Sequence, residues 1–134
     1  MYTKTTSYKD LEVWKKALAL SVRIYITTKN FPKEEMYGLV NQMRRSSISI
    51  PSNIAEGRMR GSRKEYTQLL RIAYGSGAEL ETQLLIAQQL PKLCKLNYSE
   101  SNALLEEVMK MLNVMIRKLH SENPTKLKAN EAIS

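Results

Sequence analysis

Arg58, Arg60, Arg63 and Lys64 place four cations within seven consecutive positions, with no carboxylate among them. Groups of this kind are suited to phosphate oxygens: arginine offers a planar fork of donors and lysine a compact point charge. The stretch that carries them, Gln42 to Lys64, starts as an amphipathic helix, meets Pro51 midway and ends in a loop flanked by Gly57 and Gly61. Ser62 and Glu65 have capping-box spacing, so a helix opens directly after the loop. Its first amides point back toward the loop and form an anion-binding end. Arg63 and Lys64 then occupy the first helical turn, where positive charge opposes the helix dipole by about 0.3–1 kcal/mol each. A phosphate bound at that turn would offset the penalty. Arg71, two turns beyond Lys64, extends the basic stripe, and Arg44 and Arg45 are second-rank candidates earlier in the chain. Only Tyr66 and Tyr74 are aromatic neighbours, which favours backbone contact with structured RNA or duplex over base stacking on a single strand. The competing reading is a solvated inter-helix loop.

Other chemistry lacks its parts. Ser47, Ser49 and Ser52 cluster around Pro51, but a serine nucleophile needs an activating base. The one histidine, His120, lies at the end of the last helical run with no carboxylate placed to orient it. Glu79 and Glu81 are two residues apart and face different sides of a helix, so they read as ion-pair partners for Arg44 and Arg45. No Glu-x-x-His pair of the di-iron bundles and no phosphate-loop motif occurs. The single cysteine, Cys94, reads as a small semi-buried hydrophobe and excludes an intramolecular disulfide. The expectation is a protein that is not an enzyme and needs no cofactor or metal.

Four periodic runs position these residues. The first starts after Ser7, with Asp10 completing a weak capping box. It carries two apolar stripes, Leu11-Trp14-Leu18-Ser21-Tyr25 and Val13-Ala17-Leu20-Ile24, with Trp14 read as a core anchor. Asn30-Phe31-Pro32 ends it, and Pro32 suits the first turn of helix two. Helix two buries Leu39, Met43, Ser47, Ile50 and Ile54, and Pro51 predicts a kink or break there, with nearby serine hydroxyls serving the loosened backbone. Helix three carries Tyr66, Leu69, Leu70, Ala73, Gly77, Leu80, Leu84 and Ala87. Its Gly75-Ser76-Gly77 costs helix propensity and predicts a close crossing with helix two. Pro91 closes it, and Asn97 or Ser99 caps helix four, whose stripe runs from Leu104 to Leu119 with adaptable methionines. The predicted fold is all-α, an up-down-up-down antiparallel four-helix bundle over residues 8–120, between an N-terminal tail (1–7) and a flexible C-terminal tail (121–134).

A chain of 134 residues with formal charge +8 is one basic domain. That balance points to nucleic acid or an acidic surface. No apolar run reaches the ~18 residues of a membrane span. The N-terminus has no secretory pattern, which implies the cytoplasm. The basic residues cluster in a turn and not along one helix face, which argues against a membrane-surface helix.

Tyr8-Lys9-Asp10-Leu11 with Val13-Trp14, then Phe31-Pro32-Lys33-Glu34-Glu35 with Tyr37-Gly38-Leu39, resemble the bacterial four-helix-bundle proteins of the 23S rRNA intervening-sequence type. Arg44-Arg45, Ile50-Pro51-x-Asn53-Ile54-Ala55-Glu56-Gly57, Lys64-Glu65-Tyr66 and Glu79-Leu80-Glu81-Thr82-Gln83 extend the resemblance across Tyr8 to Leu119. It implies an antiparallel bundle assembled as a ring-like homopentamer, often encoded in ribosomal RNA gene insertions and labelled ribosomal-protein-like. A related branch serves retroelements as a basic accessory protein that binds nucleic acid and a reverse transcriptase. Carried over, Arg44, Arg45, Asn53, Glu56, Glu65, Glu79 and Glu81 are the family's polar positions. The combined reading is a nucleic-acid-binding bundle, with RNA favoured. The alternative is a protein-interaction scaffold with no direct nucleic-acid role.

Overall fold

The computed structural model describes residues 7–121. Most of the expected tails, residues 1–6 and 122–134, lies outside this range. Ser7 accepts the Lys9 amide and caps a 3-10 turn, Tyr8–Asp10. The chain then extends at Leu11 before α1 begins at Glu12, so the predicted Ser7–Asp10 box opens a short turn and not the helix itself. α1 spans Glu12–Thr28, α2 Asn41–Arg60, α3 Arg63–Gln89 and α4 Ser99–Ser121. Pro32 is extended and caps a 3-10 turn (Lys33–Glu35), and a π-helical turn (Met36–Val40) leads into α2. The described residues contain no strand.

Pro51 lies buried inside an uninterrupted α2, so of the kink or break expected there the break does not occur. Proline lacks the amide that would have bonded the Ser47 carbonyl. The Ser21 hydroxyl of α1 donates to that carbonyl at 2.8 Å. The rescue therefore comes from the neighbouring helix, whereas the Ser47 hydroxyl bonds Arg44 O and Ser49 meets Ser76 across the α2–α3 contact at 2.8 Å.

Paired contacts order the bundle. Ser21 meets Ser47 and Thr28 meets Arg44, so residue numbers fall along α2 as they rise along α1. Ser49 with Ser76 and Arg60 with Glu65 give the same opposition between α2 and α3. Asn102 with Gln88 relates α4 to α3, and Lys16–Glu107 with Arg23–Glu100 returns α4 to α1. Each helix thus packs on its sequence neighbours, and α4 closes the ring of four onto α1.

The core takes Val13, Ala17, Leu20 and Ile24 from α1, and Met43, Ile50 and Ile54 from α2. α3 gives Leu70, Ala73, Leu80 and Leu84, and α4 gives Leu105, Val108, Leu112 and Ile116. Of the two stripes on α1, only the second is fully interior. Leu18 and Tyr25 are exposed, and Trp14 is half-buried with its ring edge-on to Tyr8. Cys94 is exposed and not semi-buried, because the loop after Pro91 turns Leu93 inward instead.

α2 does meet the Gly75–Ser76–Gly77 segment, through Ser49 and Ser76, but neither of those glycines carries the α2–α3 contact. A Cβ at Gly57 would lie 3.0 Å from Leu69 Cβ and 3.1 Å from Tyr66 Cδ1, so α2 and α3 meet tightly there. Gly77 instead makes room for the Met109 side chain of α4, and Gly75 faces open space. No helix among the described residues is long and apolar enough to cross a membrane.

Candidate nucleic-acid interface

The turn between α2 and α3 has only two residues, Gly61 and Ser62. Gly61 adopts φ 86°, the left-handed geometry that lets α2 end sharply and that side chains resist. Ser62 accepts the Glu65 amide at 3.1 Å and donates to the Glu65 carboxylate at 3.1 Å, so α3 is capped as its sequence predicts. Arg60 bonds Glu56 at 2.5 Å and Glu65 at 3.1 Å, joining the last turn of α2 to the first turn of α3. Those hydrogen bonds, Glu56 first and Glu65 second, hold the guanidinium above its ordinary pKa.

Folding therefore gives the four cations different surroundings. Arg60 is held by two carboxylates that the local sequence window did not include. Arg63 and Lys64 are exposed at the amino-terminal end of α3, and Arg58 is half-buried on the last turn of α2. Arg71 is exposed two turns further along α3. Arg44 and Arg45 do not join this group. They lie fourteen and thirteen residues before Arg58, roughly 20 Å away along the axis at 1.5 Å per residue. Arg44 donates to Thr28 Oγ1 at 2.9 Å and stacks 4.4 Å over the Tyr25 ring, tying α1 to α2. Arg45 bonds Gln42, so neither arginine makes the anticipated ion pair with Glu79 or Glu81.

One surface feature escaped the sequence reading. α3 and α4 enclose a groove of about 480 Å³, whose lining includes Tyr74, Glu81, Leu85, Met109, Lys110 and Asn113. Lys110 and Asn113 are ordinary polar residues on an amphipathic helix, and only the register of α4 against α3 reveals them as neighbours of Tyr74. No cluster of His, Cys, Asp and Glu that could hold a metal ion exists among the described residues.

No curated protein matches the chain. A family model described as "23S rRNA-intervening sequence protein" matches residues 9–114, which span all of α1, α2 and α3 and most of α4. The match takes in both the Ile50–Gly57 segment and the capped turn that follows it. The chain belongs to the 23S rRNA-intervening sequence protein family.

Proposed function

We propose that this protein is a non-enzymatic nucleic-acid-binding bundle of the cytoplasm, with RNA the favoured polymer, which contacts phosphates through the α2–α3 turn and acts as an oligomeric ring. The carrying observation is the construction of that turn. Gly61, the Ser62 cap and the Arg60 clamp hold it in one geometry, with Arg63 and Lys64 in the first turn of α3, at its positive end, and Arg58 in the last turn of α2. Cations accumulated at a helix amino terminus raise its potential further, and a phosphodiester relieves that repulsion. In this reading Arg60 shapes the turn and its neighbours bind. The family's link to 23S rRNA and the net charge of +8 support the same ligand class.

A second reading, a scaffold for a protein partner such as a reverse-transcriptase or ribonucleoprotein subunit, is favoured by exposed apolar residues. Leu18, Val22 and Tyr25 run along α1 at helical spacing, and Ile48 is exposed on the neighbouring α2. In the ring reading this stripe packs between copies, five by family resemblance. In the scaffold reading it receives the partner.

Salt separates the two. Labelled structured RNA and duplex DNA are titrated at two salt concentrations with wild type and an Arg58/Arg63/Lys64→Ala variant that keeps the clamp. Binding through three phosphates should weaken steeply with salt, and the variant should lower the log–log slope by about 2–3. Wild type that ignores both polymers at low salt would overturn the phosphate reading and leave the scaffold in front.

A further inference from the structure

We infer that the α3–α4 groove docks a basic amphipathic helix of a partner protein, with apolar anchors on Tyr74, Leu85 and Met109 and a cation held between Glu81 and Glu106. The inference goes beyond the phosphate reading. It concerns a different surface, and either can fail without the other.

The charged residues of the lining are Glu81, Glu106 and Lys110, two carboxylates against one ammonium, so the groove is net negative on a chain of formal charge +8. Two contacts set the register of its walls. Gln88 of α3 accepts from Asn102 of α4 at 3.3 Å, and Gly77 faces Met109. Glu81 falls between Gly77 and Gln88, and Glu106 between Asn102 and Met109, so the two carboxylates stand on opposite walls at nearly one level. Among the described residues, Glu81 has no cation within ion-pair distance. Glu106 has Lys110 at 3.7 Å, an exposed contact one helical turn away that contributes little by itself. An ammonium or guanidinium group placed between the walls would meet both carboxylates and relieve their mutual repulsion.

The floor asks for more than charge. Leu85 is 53% exposed and Tyr74 37%, and the Met109 thioether in the same lining adapts to the side chain that meets it. The volume of about 480 Å³ lies among sites that enclose several apolar groups. From Tyr74 to Gln88 the α3 wall runs for roughly 21 Å of helix. That length takes the i, i+4 and i+7 anchors of a helix lying in the groove. The two carboxylates repel a polyanion, and a simple polyamine has no side chains to cover the apolar floor. The exposed stripe of a second copy's α1 fits poorly as well. Between Leu18 and Tyr25 its sole cation is Arg23, which is paired with Glu100 at 2.9 Å. A basic helix of another protein supplies both the anchors and the charge.

The test titrates a fluorescein-labelled amphipathic peptide of about 14 residues, with leucine at i, i+4 and i+7 and lysine on its flanks. It is added to wild type, Glu81→Gln/Glu106→Gln, Leu85→Ala, the Arg58/Arg63/Lys64→Ala turn variant, and a Glu12→Gln/Glu79→Gln control that removes the same charge outside the groove. Helicity of each variant is first matched to wild type. The groove carboxylate variant should weaken peptide binding about 2- to 30-fold, with the difference shrinking as salt rises. Leu85→Ala should weaken it about 5-fold or more. Both should bind structured RNA as wild type does, and the turn variant should keep the peptide. Equal weakening by the Glu12/Glu79 control would reduce the effect to overall charge and overturn the docking site. Loss of assembly in the groove variants would make a second copy the occupant. A Lys126→Glu/Lys128→Glu chain that binds the peptide while wild type does not would make the chain's own residues 122–134 the occupant, and either result overturns the partner. If wild type ignores the peptide and still binds RNA, the docking site is wrong and the phosphate-binding turn survives.

Discussion

At the scale of single residues, Pro51 and Ser21 form one device spread over two helices. Proline deprives the Ser47 carbonyl of its helical donor, and the Ser21 hydroxyl replaces it within a buried contact. Ser21→Ala should therefore cost about 1–3 kcal/mol, the penalty of a buried acceptor left unmade. In a Pro51→Ala background residue 51 regains an amide, and the cost of Ser21→Ala should shrink. A double-mutant cycle by chemical denaturation reads this coupling, and strictly additive losses would refute the shared role. Tyr98 supplies a pH-dependent counterpart. Its ring is buried and its hydroxyl donates to Leu93 O at 2.8 Å, and burial, with a smaller effect from Cys94, pushes its pKa up to about 12. The unfolded chain loses this proton at an ordinary tyrosine value near 10. The folded state thus holds the proton more tightly between the two values. This contribution is full below pH ~10 and lost as pH rises through the folded value. Denaturation midpoints should fall across that window in wild type, and Tyr98→Phe should flatten this part of the slope.

Elements pack through their smallest residues, and two glycines with the same local propensity have different duties. Gly57 holds the α2–α3 contact against Leu69 and Tyr66, whereas Gly75 meets nothing within 4 Å. Gly57→Ala presses a methyl against a Cβ and a ring that cannot swing away. Overpacking of ~1–3 kcal/mol opposes a propensity gain of about 1 kcal/mol, and the net effect should be destabilising. Gly75→Ala has only the gain and should raise stability by up to ~1 kcal/mol. Thermal unfolding of the two variants should shift in opposite directions, and equal shifts would contradict the crossing point. The α2–α3 crossing expected at Gly75–Ser76–Gly77 is present through Ser49 and Ser76, but the glycine that a helix contact requires is Gly57 on α2. Propensity shows that a glycine is costly, and only the approaching helix shows which cost has a return. The same limit applies to Arg60. A seven-residue window contained no acid, yet Glu56 lies one helical turn earlier and Glu65 lies across a two-residue turn. Chain folding supplied both carboxylates, and Arg60 became a clamp.

Across the whole molecule, charge is unevenly placed relative to the four helix ends. The end formed by the α2–α3 turn and the last turns of α4 gathers Arg58, Arg63 and Lys64 with Arg117 and Lys118. At the other end, Lys92 pairs with Glu34 at 2.9 Å, which holds the lysine above and the glutamate below their ordinary pKa values. The amino-acid sequence by itself determined the all-helical class, the number of helices, the cap at Ser62, the core stripes of α2, α3 and α4, and the family. These are local or periodic properties, set by hydrogen bonds within one helix and by a repeat of 3.6 residues. Tertiary structure alone decided which stripe of α1 is buried, which hydroxyl serves the carbonyl beneath Pro51, that Arg60 is clamped by two carboxylates, and that Tyr74 and Lys110 share a groove. Each depends on the register of one helix against another. That register is set by the summed packing of residues far apart in the chain, and no window of sequence contains it.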